Sequence, residues 1–476
     1  MQPVASVPLT SLFRDQITMS VETNITNVAA APAATMQSAR ARNSATMRTV
    51  VTSVIGQILE WYDFFLYGTA AALVFGKLFF PMGTDPLTGT IAAFGVFTVG
   101  FVARPIGGII CGHLGDRYGR KTVMMLTLLA MGVATFAMGL LPTYSQIGIA
   151  APILLVLLRV VQGLAAGGEW SGSILLIAES APAHKRGFLS AWSPSGAALG
   201  FVLSTAAFLC MQSIAVGDAF LSWGWRVPFL LSVLLIGVGA WLRAAIPESR
   251  EFEQVQRRGK ATHAPLIEVL RTCPWQVLQV FGLRFGEGGA SWIFFAFSIA
   301  YGKFLGLPTP LVLGGLTLSM LLLIPVALLS GYITDRIGRK PVYLVGALAI
   351  VLFAYPFFLM FQSGRSGLVV LALLLANSVV LGILEGAQPA YISELLPVHL
   401  RFSGLGIGRE LASVLGGGLA PLVATALLAH YRAAWPIAIY LGLMGLVTVI
   451  TTCLSPETFP RAARQAARAQ ALQADQ

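Results

Sequence analysis

Residues 112–121 read GHLGDRYGRK, and residues 331–340 read GYITDRIGRK. Each decapeptide closes one long apolar run and opens another, and the copies lie close to half of the 476-residue chain apart. Two further pairs keep nearly the same offset. Glu179-x-x-Pro182-x-x-x-Arg186 returns as Glu394-x-x-Pro397-x-x-x-Arg401, and Pro247-Glu248-Ser249 returns more loosely as Pro456-Glu457-Thr458. One charged motif between apolar segments can arise by chance. Three ordered pairs at one spacing mean that the chain is two parallel copies of a single membrane unit.

Composition agrees. Hydrophobic residues make up 56% of the chain and charged residues 11%, against about 25% charged in a soluble domain. Apolar runs of about 20 residues, each long enough to cross the hydrocarbon, recur along nearly the whole length. We expect twelve spans, near 50–75, 90–112, 122–141, 147–168, 187–212 and 224–246 in the first half, then 273–302, 310–332, 341–361, 367–391, 402–429 and 434–455. Lipid offers the backbone no hydrogen-bond partner, so these runs must be helices; they are too long and continuous for a barrel. The expected fold is therefore an all-α integral membrane protein of two pseudo-symmetric six-helix bundles. Its parts would be a disordered cytoplasmic segment (1–48), the first bundle (49–246), a cytoplasmic linker (247–272), the second bundle (273–456) and a cytoplasmic tail (457–476).

The net charge of +11 does not point to nucleic acid, because of where the charge falls. Arg40, Arg42, Arg48, Arg117, Arg120, Lys121, Lys185, Arg186, Arg250, Arg257, Arg258 and Lys260 sit in the N-terminus and alternate loops, and Arg336, Arg339, Lys340, Arg401 and Arg461 continue the pattern. The opposite loops hold few, chiefly Lys77, Lys303, Arg365 and Arg432. This is the positive-inside bias, which puts both termini in the cytoplasm. The four cysteines show neither metal-ligand nor disulfide spacing. No zinc-protease, nucleophile-elbow or P-loop motif is present. We expect no enzyme activity, no metal and no cofactor; a proton gradient would supply the energy.

A charge at the bilayer centre costs about 2.5–3.5 kcal/mol on insertion scales, so charges kept there must be paired, neutralised or wet. Glu60, Asp63, Arg104, Arg159, Glu169, Arg284, Glu287, Glu385, Arg409 and Glu410 lie within or near the spans. Glu60, Asp63 and Tyr67 share one helical face. Two carboxylates so close repel when both ionise, and burial adds to the cost, so one can hold a proton; the alternative is a structural carboxylate bonded to a neighbouring helix. Arg104, followed by the helix-opening Pro105, can grip a carboxylate through two hydrogen bonds, or can pair with Glu60 or Asp63. Arg284 and Glu287, at i and i+3, can neutralise each other. Glu385 shares a face with Asn377 and Gln388 and can pair with Arg409.

The decapeptide GHLGDRYGRK resembles the signature of the major facilitator superfamily, where it lies in the loop between spans 2 and 3, and Arg159-Val-Val-Gln162-Gly163 resembles a second superfamily motif. Glu60-Trp61-Tyr62-Asp63-Phe64, Gly100-Phe101-Val102-Ala103-Arg104-Pro105 and Gly167-Gly168-Glu169-Trp170 are similar to the metabolite:proton symporter family, over roughly residues 48–458. The resemblance implies alternating access, proton coupling and a bacterial inner membrane. It implies substrate contact by Arg104, and with the residue reading it gives a candidate set of Arg104, Tyr62, Tyr67, Trp192, Arg284, Glu385, Gln388 and Arg409. Glu60, Asp63, Arg159, Glu169 and Glu287 are the candidates for proton coupling. Gly112, Asp116, Arg117, Gly119, Arg120 and Lys121, with Asp335, Arg336, Gly338, Arg339 and Lys340, would latch the two bundles in one access state, the acid stabilised near a helix N-terminus.

The leading expectation is a proton-coupled symporter of a small organic anion, acting as a monomer in the bilayer with substrate and protons as its partners. A carrier of a zwitterion such as proline or betaine stays open, with Trp61, Tyr62, Trp192 and Trp292 as a cation–π box. So do an exporter by proton antiport and, outside transport, a sensor on a transporter fold.

Overall fold

Every apolar run is helical in the computed structural model, which describes residues 46–47, 49–80, 86–118, 120–167, 174–175, 177–178, 180–244, 265–397 and 400–459. Twelve long helices follow in order among these residues. In the first half they are α1 (Thr49–Leu78), α2 (Pro86–Tyr118), α3 (Arg120–Leu140), α4 (Ala150–Ala166), α5 (Ala183–Ile214) and α6 (Phe220–Gly239). In the second they are α7 (274–304), α8 (Thr309–Ile337), α9 (Arg339–Gln362), α10 (Ser366–Leu395), α11 (Ser403–Tyr431) and α12 (Trp435–Leu454). A short helix, Pro265–Thr272, precedes α7. Residues 50–476 form one compact unit; of the unit before it, only Thr46, Met47 and Thr49 are described.

Nine of the twelve are long and apolar enough to span a membrane on composition alone. The other three are α3, whose apolar part is Met125–Leu140, the 17-residue α4, and α7, which carries Gln276, Gln279, Arg284 and Glu287. The outward faces carry the apolar surface: Ile109, Leu126, Val133, Ile153, Leu157, Leu321, Leu352, Leu443 and Ile450 are exposed. That is the pattern of a protein whose solvent is hydrocarbon. Polar and charged side chains (Glu60, Arg104, Arg159, Glu287, Asn377, Arg409) are buried inside instead.

Several helices outrun the expected spans. The expected stretch 310–332 is α8 to Ile337, and 90–112 is α2 to Tyr118. The repeated decapeptide is therefore helix almost to its end, and not the loop expected. In the second copy the connection shrinks to Gly338, whose φ of 107° suits only glycine. In the first copy the corresponding residue, Gly119, lies outside the described residues.

Small residues let the helices meet. Gly163 of α4 lies against the Gly100 carbonyl and the Ala103 methyl of α2, and Gly167 against the Arg104 carbonyl. Gly286 of α7 faces the Met444 carbonyl of α12 in the same way. A side chain at such a site must push two backbones apart, at about 1–3 kcal/mol. Gly163→Val should lower the thermal unfolding temperature in detergent by several degrees. Gly95→Ala, at a site with nothing within 4 Å of a new methyl, should leave it unchanged or raise it, since alanine favours helix by about 1 kcal/mol. Equal melting of both variants would refute this packing account.

Candidate functional site

Four guanidiniums, those of Arg104, Arg159, Arg339 and Arg409, are among the largest fully buried side chains. Three of them lie in mid-helix. Arg104 of α2 stands between two carboxylates: its Nη2 is 3.5 Å from Glu60 Oε1 on α1, and its Nε is 3.2 Å from Glu410 Oε2 on α11. The first contact is within the first bundle and the second crosses to the other. Arg409 pairs with Glu410 from the same helix. Gln57 donates to Glu60 Oε2 at 3.4 Å and accepts from Trp61 Nε1 at 2.9 Å, so it orients the carboxylate that Arg104 meets.

A second group lies beside this one in the second bundle. Arg284 pairs with Glu287 and donates to Gln388 Oε1 at 2.7 Å. Gln388 Nε2 in turn donates to Glu287 Oε2 at 3.2 Å and to Tyr343 Oη at 2.9 Å, and Tyr343 donates to the Leu283 carbonyl. Glu385 stands 3.8 Å from Arg284, with 22% of its side chain exposed against 0% for Glu287. It is thus the carboxylate of this pair that water reaches. Glu385, expected to pair with Arg409, is acted on electrostatically by Arg409 and lies 3.8 Å from Arg284, while Arg409 pairs with the carboxylate next to it in sequence.

Arg159 is held differently. Its Nη1 donates to Gln162 Oε1 at 2.7 Å, and Gln162 Nε2 to Thr135 Oγ1 at 2.6 Å. The Phe64, Tyr67 and Phe97 rings cover the guanidinium at 4.5, 4.3 and 5.0 Å, a favourable seat for a cation. Asp63 adjoins Thr135 and Arg159. Tyr67 therefore serves Arg159. The Tyr62 hydroxyl turns away, donating to the Pro228 carbonyl at 2.7 Å, and Trp192 opens the helical stretch Trp192–Ile214 of α5. Of the aromatic residues expected to form a box, Trp61 and Trp292 both pack on Phe65, and Trp292 also on Phe97 and Phe101. Glu169 lies outside the described residues.

That last packing closes one end. Phe65 and Phe201 of the first bundle meet Phe295 of the second at 5.2 and 4.5 Å between ring centroids. Thr98 donates to the Gly418 carbonyl at 2.7 Å, and Lys303 Nζ to the Leu73 carbonyl at 3.3 Å, both between bundles. Each acceptor lies in a π-helical segment, Ser413–Gly418 and Ala71–Phe75. Such segments recur at functional sites.

The other end is closed by the repeats. Asp335 accepts from the Gly187 and Phe188 N–H groups at 2.9 Å each. The expectation of a helix N-terminus is met in an unexpected place: Asp335 ends α8, and the N-terminus is that of the Arg186–Ser190 stretch in the opposite bundle. Arg339 bridges Asp335 at 2.7 Å and Glu394 at 3.4 Å, while Arg186 reaches Glu394 at 3.2 Å. Glu457 accepts from the N–H groups of Arg339 and Lys340, capping α9, and Thr458 donates to Glu394 at 2.7 Å. Arg336 donates to the Tyr332 hydroxyl. The side chains of Gly112, Asp116, Arg117, Gly119, Arg120 and Lys121 lie outside the described residues. Sequence reasoning missed Gln57, Tyr343, Glu394, Glu410 and Glu457 as site residues. Glu394 and Glu457 carried a signal, since both stand in repeated motifs.

A family model described as Major Facilitator Superfamily matches residues 53–419. The shikimate transporter of Escherichia coli K12 is 40% identical over 86% of this chain and 94% of its own length. The inner membrane metabolite transport protein YhjE of the same organism is 36% identical over 86% and 94%. The glycine betaine/proline/ectoine/pipecolic acid transporter OusA of Dickeya dadantii is 34% identical over 86% and 83%. Among solved structures, a proton:xylose symporter bound to a sugar analogue superposes with a TM-score of 0.69 at 18% identity, over 88% of this chain and 97% of its own. That identity speaks for the fold alone.

Asp335→Asn keeps the size of the side chain, removes its charge and replaces one of the two accepting oxygens with an N–H donor. The loss, about 1–3 kcal/mol, should shift the closed-to-open balance at this end by roughly 10–100-fold. The readout is maleimide labelling of Ser190→Cys, a buried position beside the latch; an unchanged labelling rate would remove Asp335 from the latch.

Proposed function

We propose that this chain, which belongs to the major facilitator superfamily, is a proton-coupled symporter of a small organic acid anion working by alternating access. One observation carries the reading. Arg104, wholly buried, is gripped by a carboxylate from each bundle. A guanidinium so placed takes a substrate carboxylate once a carboxylate beside it gains a proton, and the exchange of partners couples the two loads.

Three arginines, Arg104, Arg284 and Arg409, converge with Glu60, Glu287, Glu385 and Glu410. An array rich in both signs suits an anion and its protons. Asp63 beside Arg159 offers a second place for a proton. The zwitterion reading draws on the betaine and proline relatives. Against it, the ring faces nearest the cluster already hold protein cations: Phe64 and Phe101 lie under Arg104 at 4.9 and 5.7 Å. The identity to the shikimate transporter supports a hydroxylated or unsaturated ring acid as the first class to try. In this reading the membrane is the bacterial inner membrane, with the latch end and both termini in the cytoplasm.

The test is purified protein in liposomes with an inward proton gradient, offered labelled shikimate, 2-oxoglutarate, citrate, simple aromatic acids, proline and betaine. One acid should accumulate, an uncoupler should abolish the uptake, and Arg104→Lys should cut it about 10–100-fold, as expected for loss of a charge-assisted fork worth roughly 1.5–3 kcal/mol. Accumulation of betaine or proline in place of every acid would overturn the anion reading.

A further inference from the structure

Glu410 is held by arginines of both bundles: Arg104 at 3.2 Å across the interface and Arg409 beside it on α11. It is nearly sealed, 4% exposed, and Arg284 acts on it electrostatically from α7. Glu60 of the first bundle pairs with Arg104 at 3.5 Å and acts electrostatically on Arg409. We propose that the Glu410 carboxylate is a tethered stand-in, occupying in the empty carrier the seat that a substrate carboxylate takes between Arg104 and Arg409. The proposal rests on the organic-anion reading and adds to it where the carboxylate binds and how the empty carrier returns.

The physical argument is one of neutralisation. A buried guanidinium that loses its partner costs about 3–5 kcal/mol, and Glu60 alone leaves Arg104 and Arg409 one anion short, so the bundles close over them best when a second anion lies between them. Loaded, the substrate supplies it. Empty, the protein must supply its own, and Glu410 is placed to do so. Charge balance then fixes one proton. Before exchange Arg104 and Arg409 face two carboxylate anions, Glu410 in the seat and Glu60 beside it. Afterwards the same cations face Glu60, one substrate carboxylate and Glu410 with a proton on its displaced carboxyl, so the net charge is the same. Without that proton two anions would compete for one seat. One proton therefore enters with each substrate carboxylate seated here.

Glu410→Gln mimics the displaced, protonated state. It should seat substrate and exchange it across the membrane near the parent rate, yet lose net proton-driven accumulation by at least tenfold, because the empty carrier then has Glu60 alone against two guanidiniums. A second measurement needs no substrate. Spin labels at Val216→Cys and Ser363→Cys, exposed turns of the two bundles at the aromatic end, report bundle separation in a chain whose own four cysteines are replaced by serine. With no substrate present, the parent should be mostly closed. Glu410→Gln should enlarge the open fraction at least fivefold, whereas Glu287→Gln, which breaks contacts with Arg284 and Gln388 inside one bundle, should not. Unchanged separation in Glu410→Gln, an equal opening in Glu287→Gln, or net accumulation equal to the parent would each overturn the proposal. If the parent transports no acid at all, the function reading fails, and the distance measurement still decides whether Glu410 closes the empty protein.

Discussion

A guanidinium cannot rest in a dry interior without a counter-charge or a substitute for water, and this requirement arranges the protein. Arg339, Arg104, Arg284 and Arg159 meet it in four ways. Arg339 is locked by Asp335 and Glu394 with the backbone around it. Arg104 is shared between bundles. Arg284 is embedded in an amide–carboxylate network with Gln388 and Glu287. Arg159 lies among three ring faces with a single side-chain amide. The cost of leaving any of them bare exceeds the gain from most packing contacts, so the helices are positioned by their charges as much as by their glycines.

The three repeated motifs look unrelated along the chain and are one object in space. Asp335 and Arg339 come from the first pair, Glu394 and Arg186 from the second, and Glu457 and Thr458 from the third, and all six meet at one end of the interface. Their sequence separations follow from this. In a six-helix unit with alternating direction, the ends of the second, fourth and sixth spans return to the same side. Duplication of the unit puts a second set opposite the first, and residues from one copy then close on the backbone of the other.

The fold was legible because hydrocarbon permits so few solutions: apolar runs of sufficient length must be helices, and the repeat divides them into two sixes. The charged residues were legible as a set for the same reason. Their partners were not. Glu385 also meets Arg284 from α7, and neighbours in sequence, Arg409 and Glu410, bond to each other. Tyr62 stands on a helix crowded with site residues, but a rotation of about 100° per residue aims its hydroxyl at Pro228. Helix phase relative to a neighbour is set by packing across the whole interface, and no local pattern encodes it. Gln57 illustrates the complement. It is an ordinary polar residue in sequence, and only the convergence of Glu60 and Trp61 on its amide gives it a role.

The two mid-membrane arginines of the first bundle divide the work by the nature of their partners. Ring faces hold Arg159 at almost no cost in directionality, and Gln162 fixes its orientation through Thr135, so nothing in its surroundings needs to leave for a load to arrive. Arg104 is bound to carboxylates, which a proton can switch off, and one of them belongs to the moving partner bundle. An arginine held by rings keeps its charge and place through a cycle; one held by titratable groups of both bundles can trade them. The first suits a fixed field beside Asp63. The second suits a place where a carboxylate load can be exchanged at the interface of the bundles.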